Sequence, residues 1–265
     1  MARDFTKNTS NTLSFGTNAI GPLFNGASAI SIHCWAYADT YSATGITDNA
    51  LFAFGIGSGV AGLFFNVDNG TKLRMGGRSG TGDAFQSRTS TTNITTGQWW
   101  SLGGVNNIAA DTITPYVSGL AEGGGAVTFG NATYTHSAAS SSSDRIGAAQ
   151  SGALTTNLQW DGRIAELAIW NVDIGASGFT QLALGVSALL IRPEALVIYT
   201  PILGRYSPEI DLRNGKTATI SGTVDVADHP RIIYPARRRT HYKVVGGGGG
   251  GTGKPWLHYS RMRAA

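Results

Sequence analysis

Two carboxylates, Asp161 and Glu166, stand in the stretch WDGRIAELAIW (160–170), among residues that otherwise read as the interior of a sheet. They could be a general acid/base pair, a metal site, or only the means by which one strand is entered and held. Asp68 and Asn69 could supply hard oxygen ligands to a calcium ion at a loop, but Asp-Asn-Gly is first of all a turn former. Trp35 and Tyr37, together with Trp99 or Trp100, could form a platform on which a sugar stacks; alternatively, extensions of the chain cover both sheet faces and bury these rings. The histidines (His33, His136, His229, His241, His258) are scattered, so no Ser-His-Asp or Cys-His constellation can be argued. Gly57-Ser-Gly59-Val-Ala-Gly62 has the spacing of a nucleotide-binding loop, yet a strand, LFFNVDNG, follows where that fingerprint needs a helix. A hairpin connection is the reading adopted.

The elements that must position these residues read as β-strands. AISIHCWAYAD (29–39) alternates, with Ile30, Ile32, Cys34, Ala36 and Ala38 on one face and Ser31, His33, Trp35 and Tyr37 on the other. Cys34 therefore reads as a buried structural thiol. ALFAFGIG and GLFFNVDNG form a pair, and the second runs through its turn into TKLRMGG. DAFQSRTST, GQWWSLGGV, TITPYVSG and AVTFGNATY follow at roughly ten-residue spacing, as in an antiparallel sandwich or jelly roll. THSAASSSSD (135–144) is a serine-rich loop, and GASGFTQLALG (175–185) predicts one short helix stopped at Gly185. IRPEALVIYTPILG (191–204) reads as a strand bounded by prolines, and residues 208–230 as short closing strands.

Composition agrees: 37 glycines and a charged fraction of 14% suit short strands and tight turns better than helices. The 265 residues are enough to bury a substantial core, and the single cysteine leaves no intramolecular disulfide to hold it. The net charge of +4 is uneven. Seven basic residues and no acid follow Ala236, which leaves residues 1–235 at −3. The N-terminus lacks an apolar signal core, and no run approaches the roughly 18 apolar residues of a membrane span. The expectation is a chain made in a reducing cytoplasm and not secreted by a signal peptide. On that expectation the four N-x-S/T sequons, at Asn8, Asn69, Asn93 and Asn131, are chance matches in a Thr-rich chain.

The order of motifs ISIHCWAYAD, LFFNVDNGTKLRMG, TTGQWWSLGGVNN, TITPYVSG, DRIGAAQSG and WDGRIAELAIWNVDIGASGFTQLALG resembles the laminin G-like branch of the concanavalin A-like lectin/glucanase superfamily over roughly residues 10–190. The resemblance implies an all-β fold, a two-sheet antiparallel jelly-roll sandwich. It also implies binding of glycans or proteins in most members, calcium at the sandwich edge in some, and glycosidase activity in a minority. The superfamily's glucan hydrolases carry Glu-x-Asp-x-x-Glu on one strand, which puts nucleophile and acid on one face. This chain has Glu209-Ile-Asp211-Leu-Arg213-Asn214, and Asn214, standing where the second glutamate belongs, cannot donate a proton to a leaving group. After residue 190, RPEALVIYTPI and DHPRIIYP resemble extensions of laminin G-like proteins of tailed bacteriophages.

These readings divide the chain into a laminin G-like β-sandwich (1–190), a β extension packing on it (191–235) and a basic, Gly-rich C-terminal arm (236–265). The function expected is that of a non-enzymatic bacteriophage virion structural protein, decorating the capsid or attached at the tail, as an oligomer or in a multicopy assembly, with no specific nucleic acid and no cofactor beyond the calcium considered above. Its arm would dock on capsid or other virion proteins through Arg237, Arg238, Arg239, Lys243, Lys254, Trp256 and Tyr259. Trp35, Tyr37 and Trp99 would contact host surface glycans or a partner. The alternatives are a carbohydrate-binding adhesion module and, third, a glycoside hydrolase.

Overall fold

The computed structural model describes residues 2–6, 11–41, 49–55, 60–68, 71–137, 143–149 and 158–235. Met1–Pro235 forms one unit and Ala236–Ala265 a second, which lies outside the described residues together with every arm residue named above.

The described strands make two antiparallel sheets, one of nine strands and one of eight. The first contains β1 (Ala2–Phe5), β3 (Ala29–Ala38), β8 (Trp99–Asn107), β9 (Thr112–Val117), β10 (Leu120–Ala121), β11 (Gly125–Ala126), β13 (Gly162–Trp170), β14 (Leu196–Thr200) and β17 (Val224–Ala227). Its order is β10-β9-β8-β3-β13-β1-β17, with β11 also on β9 and β14 also on β13. The second contains β2 (Thr12–Thr17), β4 (Asn49–Phe54), β5 (Gly62–Val67), β6 (Lys72–Arg78), β7 (Gln86–Asn93), β12 (Ser143–Ile146), β15 (Glu209–Ile210) and β16 (Thr217–Ser221). Its order is β15-β16-β2-β12-β4-β5-β6-β7. This is the two-sheet sandwich expected. Residues 191–235 supply β14 and β17 to one sheet and β15 and β16 to the other.

The alternation of β3 sorts its side chains as predicted. Ile30, Ile32, Cys34, Ala36 and Ala38 join the main core with Leu102 of β8, Ile164 of β13 and Phe52, Phe54 and Phe65 of the facing sheet. The opposite face of the nine-stranded sheet is only partly covered. The helix α1 (Gly175–Ala183) and a 3-10 turn at 188–190 lie over its β8–β13 part and build a second apolar cluster around Trp170, Phe179, Leu182 and Tyr199. Phe179 stacks on Tyr116 at 4.0 Å, and its burial is worth about 1.5–3 kcal/mol. Gly103 makes room for that ring, since a Cβ there would lie 2.5 Å from Phe179 Cε1.

One strand assignment differs. AVTFGNATY pairs only through Gly125–Ala126; the residues after it run irregularly along the end of the sandwich. Phe129 and Tyr134 enter the core there, and Tyr134 exchanges backbone hydrogen bonds with the 26–27 turn instead of a strand: its N–H donates to Ala27 O (2.8 Å) and its carbonyl accepts from Gly26 N (2.9 Å). Burial of two rings decides this path over the segment's β propensity.

Candidate functional site

Where the nine-stranded sheet is left open, five strands present one residue each to the same row. Trp99 on β8 opposes Tyr37 on β3, Tyr37 opposes Arg163 on β13, Arg163 opposes Asp4 on β1, and Asp4 opposes Asp225 on β17. Directly opposed residues share a face, and the contacts bear this out. The Tyr37 and Trp99 rings meet at 5.8 Å and 66°. The Arg163 guanidinium lies 4.5 Å from the Tyr37 ring centre, within cation–π range, and its Nε is 3.6 Å from Asp4 Oδ2. Gly162 sets this approach: its φ is +132°, and a Cβ there would sit 2.1 Å from Tyr37 O. Trp35 occupies the next row, edge-on to His33 at 6.3 Å. Trp35, Tyr37 and Trp99 are all half-buried.

The row opens on a cleft of about 420 Å³ lined by Asp4, Arg163, Val226, Ala227 and Asp228. Burial holds the Asp4 carboxyl above the usual carboxylate range; Asp39 and Asp161 push the same way, and Arg163 opposes them. Half-buried rings beside carboxylates and a planar guanidinium suit an amphipathic, hydroxyl-rich ligand, with C–H faces against rings and hydroxyls on the charged groups.

Asp161 and Glu166 do not form a pair. Asp161 holds the strand entry: its carboxylate accepts the Thr40 hydroxyl hydrogen bond, and its carbonyl accepts from Asp39 N at 3.0 Å. Glu166 sits in a β-bulge of β13, between Ala165 and Ala168, with φ +57°. That left-handed conformation costs a non-glycine residue about 1–2 kcal/mol. Its side chain is buried at 3% exposure, where Oε2 accepts from Tyr199 Oη (2.6 Å) and Oε1 from Tyr234 Oη (2.7 Å). His229 Nε2 lies 3.2 Å from Oε1, outside hydrogen-bonding geometry but an ion-pair contact when the ring is protonated. Burial, then the Glu166 charge, pushes both tyrosine hydroxyls up.

Glu209 and Asp211 are likewise committed to the fold. Glu209 Oε1 accepts from Arg3 Nε (2.8 Å) and Gly204 N (2.9 Å). Asp211 Oδ1 accepts from Tyr199 N (2.7 Å) and Arg213 N (3.1 Å), while Oδ2 accepts from Asn214 N (2.7 Å). Asn214, at the position of the missing acid, donates its amide to Val197 O.

Asp68 closes its turn: Oδ1 accepts from Lys72 N (2.9 Å), and its backbone exchanges hydrogen bonds with Lys72 and Thr71. Its proposed calcium co-ligand Asn69 lies outside the described residues. Among the described residues no group of three or more His, Cys, Asp or Glu side chains gathers as a metal site would require. Cys34 is buried in the core, where desolvation pushes its thiol up, and burial pushes His33 down to about 3. Neither is placed for nucleophilic or base chemistry.

Tyr37 and Trp99 therefore meet in one row and Trp35 stands in the next, while Arg163, Asp4 and Asp228 were not anticipated. Arg163 could have been found from the polar positions of WDGRIAELAIW; Asp4 and Asp228 come from strand order, which local pattern does not carry.

Comparison with known proteins gives the following. A laminin G family model described as the concanavalin A-like lectin/glucanases superfamily matches residues 7–177. No curated protein matches the sequence. A Bacteroides ovatus protein provisionally described as carbohydrate-binding superposes with a TM-score of 0.59 at 16% identity, covering 88% of this chain and 61% of its own. The present chain thus spans about 61% of that protein's length. A heptameric SAP-like pentraxin from Limulus polyphemus superposes at 0.50 with 13% identity, covering 69% of this chain and 81% of its own. At such identities the likeness is one of fold.

Proposed function

Because the chain belongs to the concanavalin A-like lectin/glucanase superfamily, we propose that it is a non-catalytic carbohydrate-binding protein whose sugar site is the row Trp99–Tyr37–Arg163–Asp4 and its cleft. The in-register row carries the reading: it places two aromatic rings, a guanidinium and a carboxylate along one open sheet face, beside a cleft of about 420 Å³. The Bacteroides ovatus protein, matched over 88% of this chain, supports it by description. Asp4, Asp225 and Asp228 outnumber Arg163 there, so the site favours neutral or amino sugars and repels sialylated or sulfated ones.

A glycan array carrying chitohexaose, cellohexaose, xylohexaose and sialyllactose tests the assignment. Binding of at least one neutral hexaose is expected, weakened about tenfold or more by Tyr37→Ala and by Trp99→Ala, about 1.4 kcal/mol each. Binding confined to sialyllactose, or indifferent to both substitutions, would remove it.

Attachment to a virion, the first expectation from the sequence, is supported by the short motifs after residue 190 and by the basic composition of 236–265, and by neither the family match nor the structural neighbours. As a second reading it predicts that a chain ending at Pro235 folds but no longer sediments with phage particles. Undiminished incorporation would refute it.

A further inference from the structure

We propose that Glu166 is a positioning residue, a buried clasp that docks the segment 228–235 and thereby fixes Asp228 as a wall of the cleft; the binding consequence rests on the sugar-site reading above. Three facts converge on one side chain. Glu166 occupies a bulge in a left-handed conformation that favours glycine, the one non-glycine residue of β13 with a positive φ. A residue retained at such a position has a use for its side chain. Both carboxylate oxygens are engaged: Tyr199 of β14 takes one, while Tyr234 and His229, at opposite ends of the segment, converge on the other.

Little else holds the segment. It is a strap, not a strand: its described backbone ties are Ile233 N to Gly185 O (2.6 Å) and Ser187 N to Ile233 O (3.0 Å), both at the turn after α1. Ile233 and Tyr234 are exposed at 56% and 45%, and Pro230 and Ile232 are only half-buried, so no apolar side chain of the strap is fully buried. The strap begins where β17 ends, and its first residue, Asp228, lines the cleft opposite Arg163. Next to it is His229, whose side chain is only 10% exposed because it reaches down to Glu166. Releasing His229 frees the residue beside it, so a carboxylate that does not line the cleft sets the cleft's shape.

Hydrogen exchange on the full chain at pH 7 decides the clasp. Glu166→Gly keeps a residue suited to the bulge and deletes the carboxylate; Glu166→Gln keeps the side chain but loses its charge and one acceptor. In both, exchange at the Ile233 and Ser187 amides, which carry the strap's backbone bonds, is expected to rise about tenfold while β3 and β8 are unchanged, and Tyr234→Phe is expected to give a smaller rise. Unchanged exchange in the strap would overturn the proposal, as would an equal rise in β3 and β8, which marks a general loss of stability. In the same variants the affinity for chitohexaose, cellohexaose or xylohexaose, whichever the chain binds, is expected to fall at least fivefold. A freed strap with unaltered hexaose binding overturns the positioning role. If no hexaose binds the unmodified chain, the proposed function fails, and strap exchange alone decides the clasp.

Discussion

Replacing Arg3 by leucine is expected to lower the unfolding free energy by about 3–5 kcal/mol, the usual consequence of leaving a buried carboxylate without its cation. Arg3 and Glu209 are 6% and 2% exposed, 206 residues apart in sequence and 2.8 Å apart in space. Arg3 belongs to β1 of one sheet and Glu209 to β15 of the other, so the pair links the sheets at the edge closed by the C-terminal extension. Arg3 also donates to Val224 O (3.1 Å) and Tyr206 O (2.5 Å), carbonyls that lose a partner in the same substitution. The double variant Arg3→Leu/Glu209→Leu removes both charges and is expected to recover a large part of the loss, because an uncompensated charge costs more than an absent pair contributes. Urea unfolding of the single and double variants measures both. A loss below about 1 kcal/mol in Arg3→Leu would show that the pair is solvated and marginal. Glu209 is also the residue a hydrolase reading would make catalytic. That reading predicts the reverse for Glu209→Gln, an intact fold with lost turnover of β-glucans, whereas the geometry predicts a weakened fold.

The same pair marks how far sequence pattern reaches. Alternation in AISIHCWAYAD separates core side chains from Trp35 and Tyr37 correctly, because a period of two is a local property of one strand. WDGRIAELAIW is legible as a strand for the same reason. Its bulge is not: a regular period carries no mark of the left-handed residue at Glu166, and so the carboxylate's partners in the strap stayed hidden. Arg163 and Asp4 join Tyr37 only through the order β3-β13-β1, in which neighbours in space are far apart in the chain. The misread segment AVTFGNATY fails differently. Its Val, Thr, Phe and Tyr favour a strand, and Phe129 and Tyr134 gain more by closing the end of the core than by pairing.

The two open questions about carboxylates resolve into one design. Asp211 and Glu209 satisfy backbone or basic groups that the jelly roll would otherwise leave buried and unpaired, and Asp161 accepts the Thr40 hydroxyl at the entry to β13. Asp4, with Asp225 and Asp228 about it, remains at an open surface beside aromatic rings. The acids first considered for catalysis, Asp161, Glu166, Glu209 and Asp211, are committed to the fold, whereas those at the cleft lie beside the aromatic row.

Below pH 6.5 the protein is expected to lose stability with acid, and His33 is the principal cause. Its ring is 2% exposed, with Nε2 2.9 Å from Ser101 Oγ and no hydrogen-bond partner at Nδ1. Burial pushes it from 6.5 down to about 3. In the unfolded chain the ring takes up a proton as pH falls through 6.5; in the fold it remains neutral until about pH 3. The unfolded state therefore binds more protons throughout that window, and stability falls as pH falls, by up to about 1.4 kcal/mol per unit. Over the whole window the loss is on the order of 4 kcal/mol. Asp4 and Asp144, whose folded carboxyls are raised chiefly by burial, act in the opposite sense, and His136, whose ring burial pushes down, acts in the same sense as His33. Urea unfolding of the unmodified chain and of His33→Gln at pH 7, 6 and 5 isolates the His33 part as the difference between the two profiles. His33→Gln keeps a partner for Ser101 and cannot titrate there; its stability is expected to fall less steeply across those values than that of the unmodified chain, which weakens at each step. Parallel pH profiles for the two would assign the acid sensitivity elsewhere and show that the His33 ring accepts a proton within the fold.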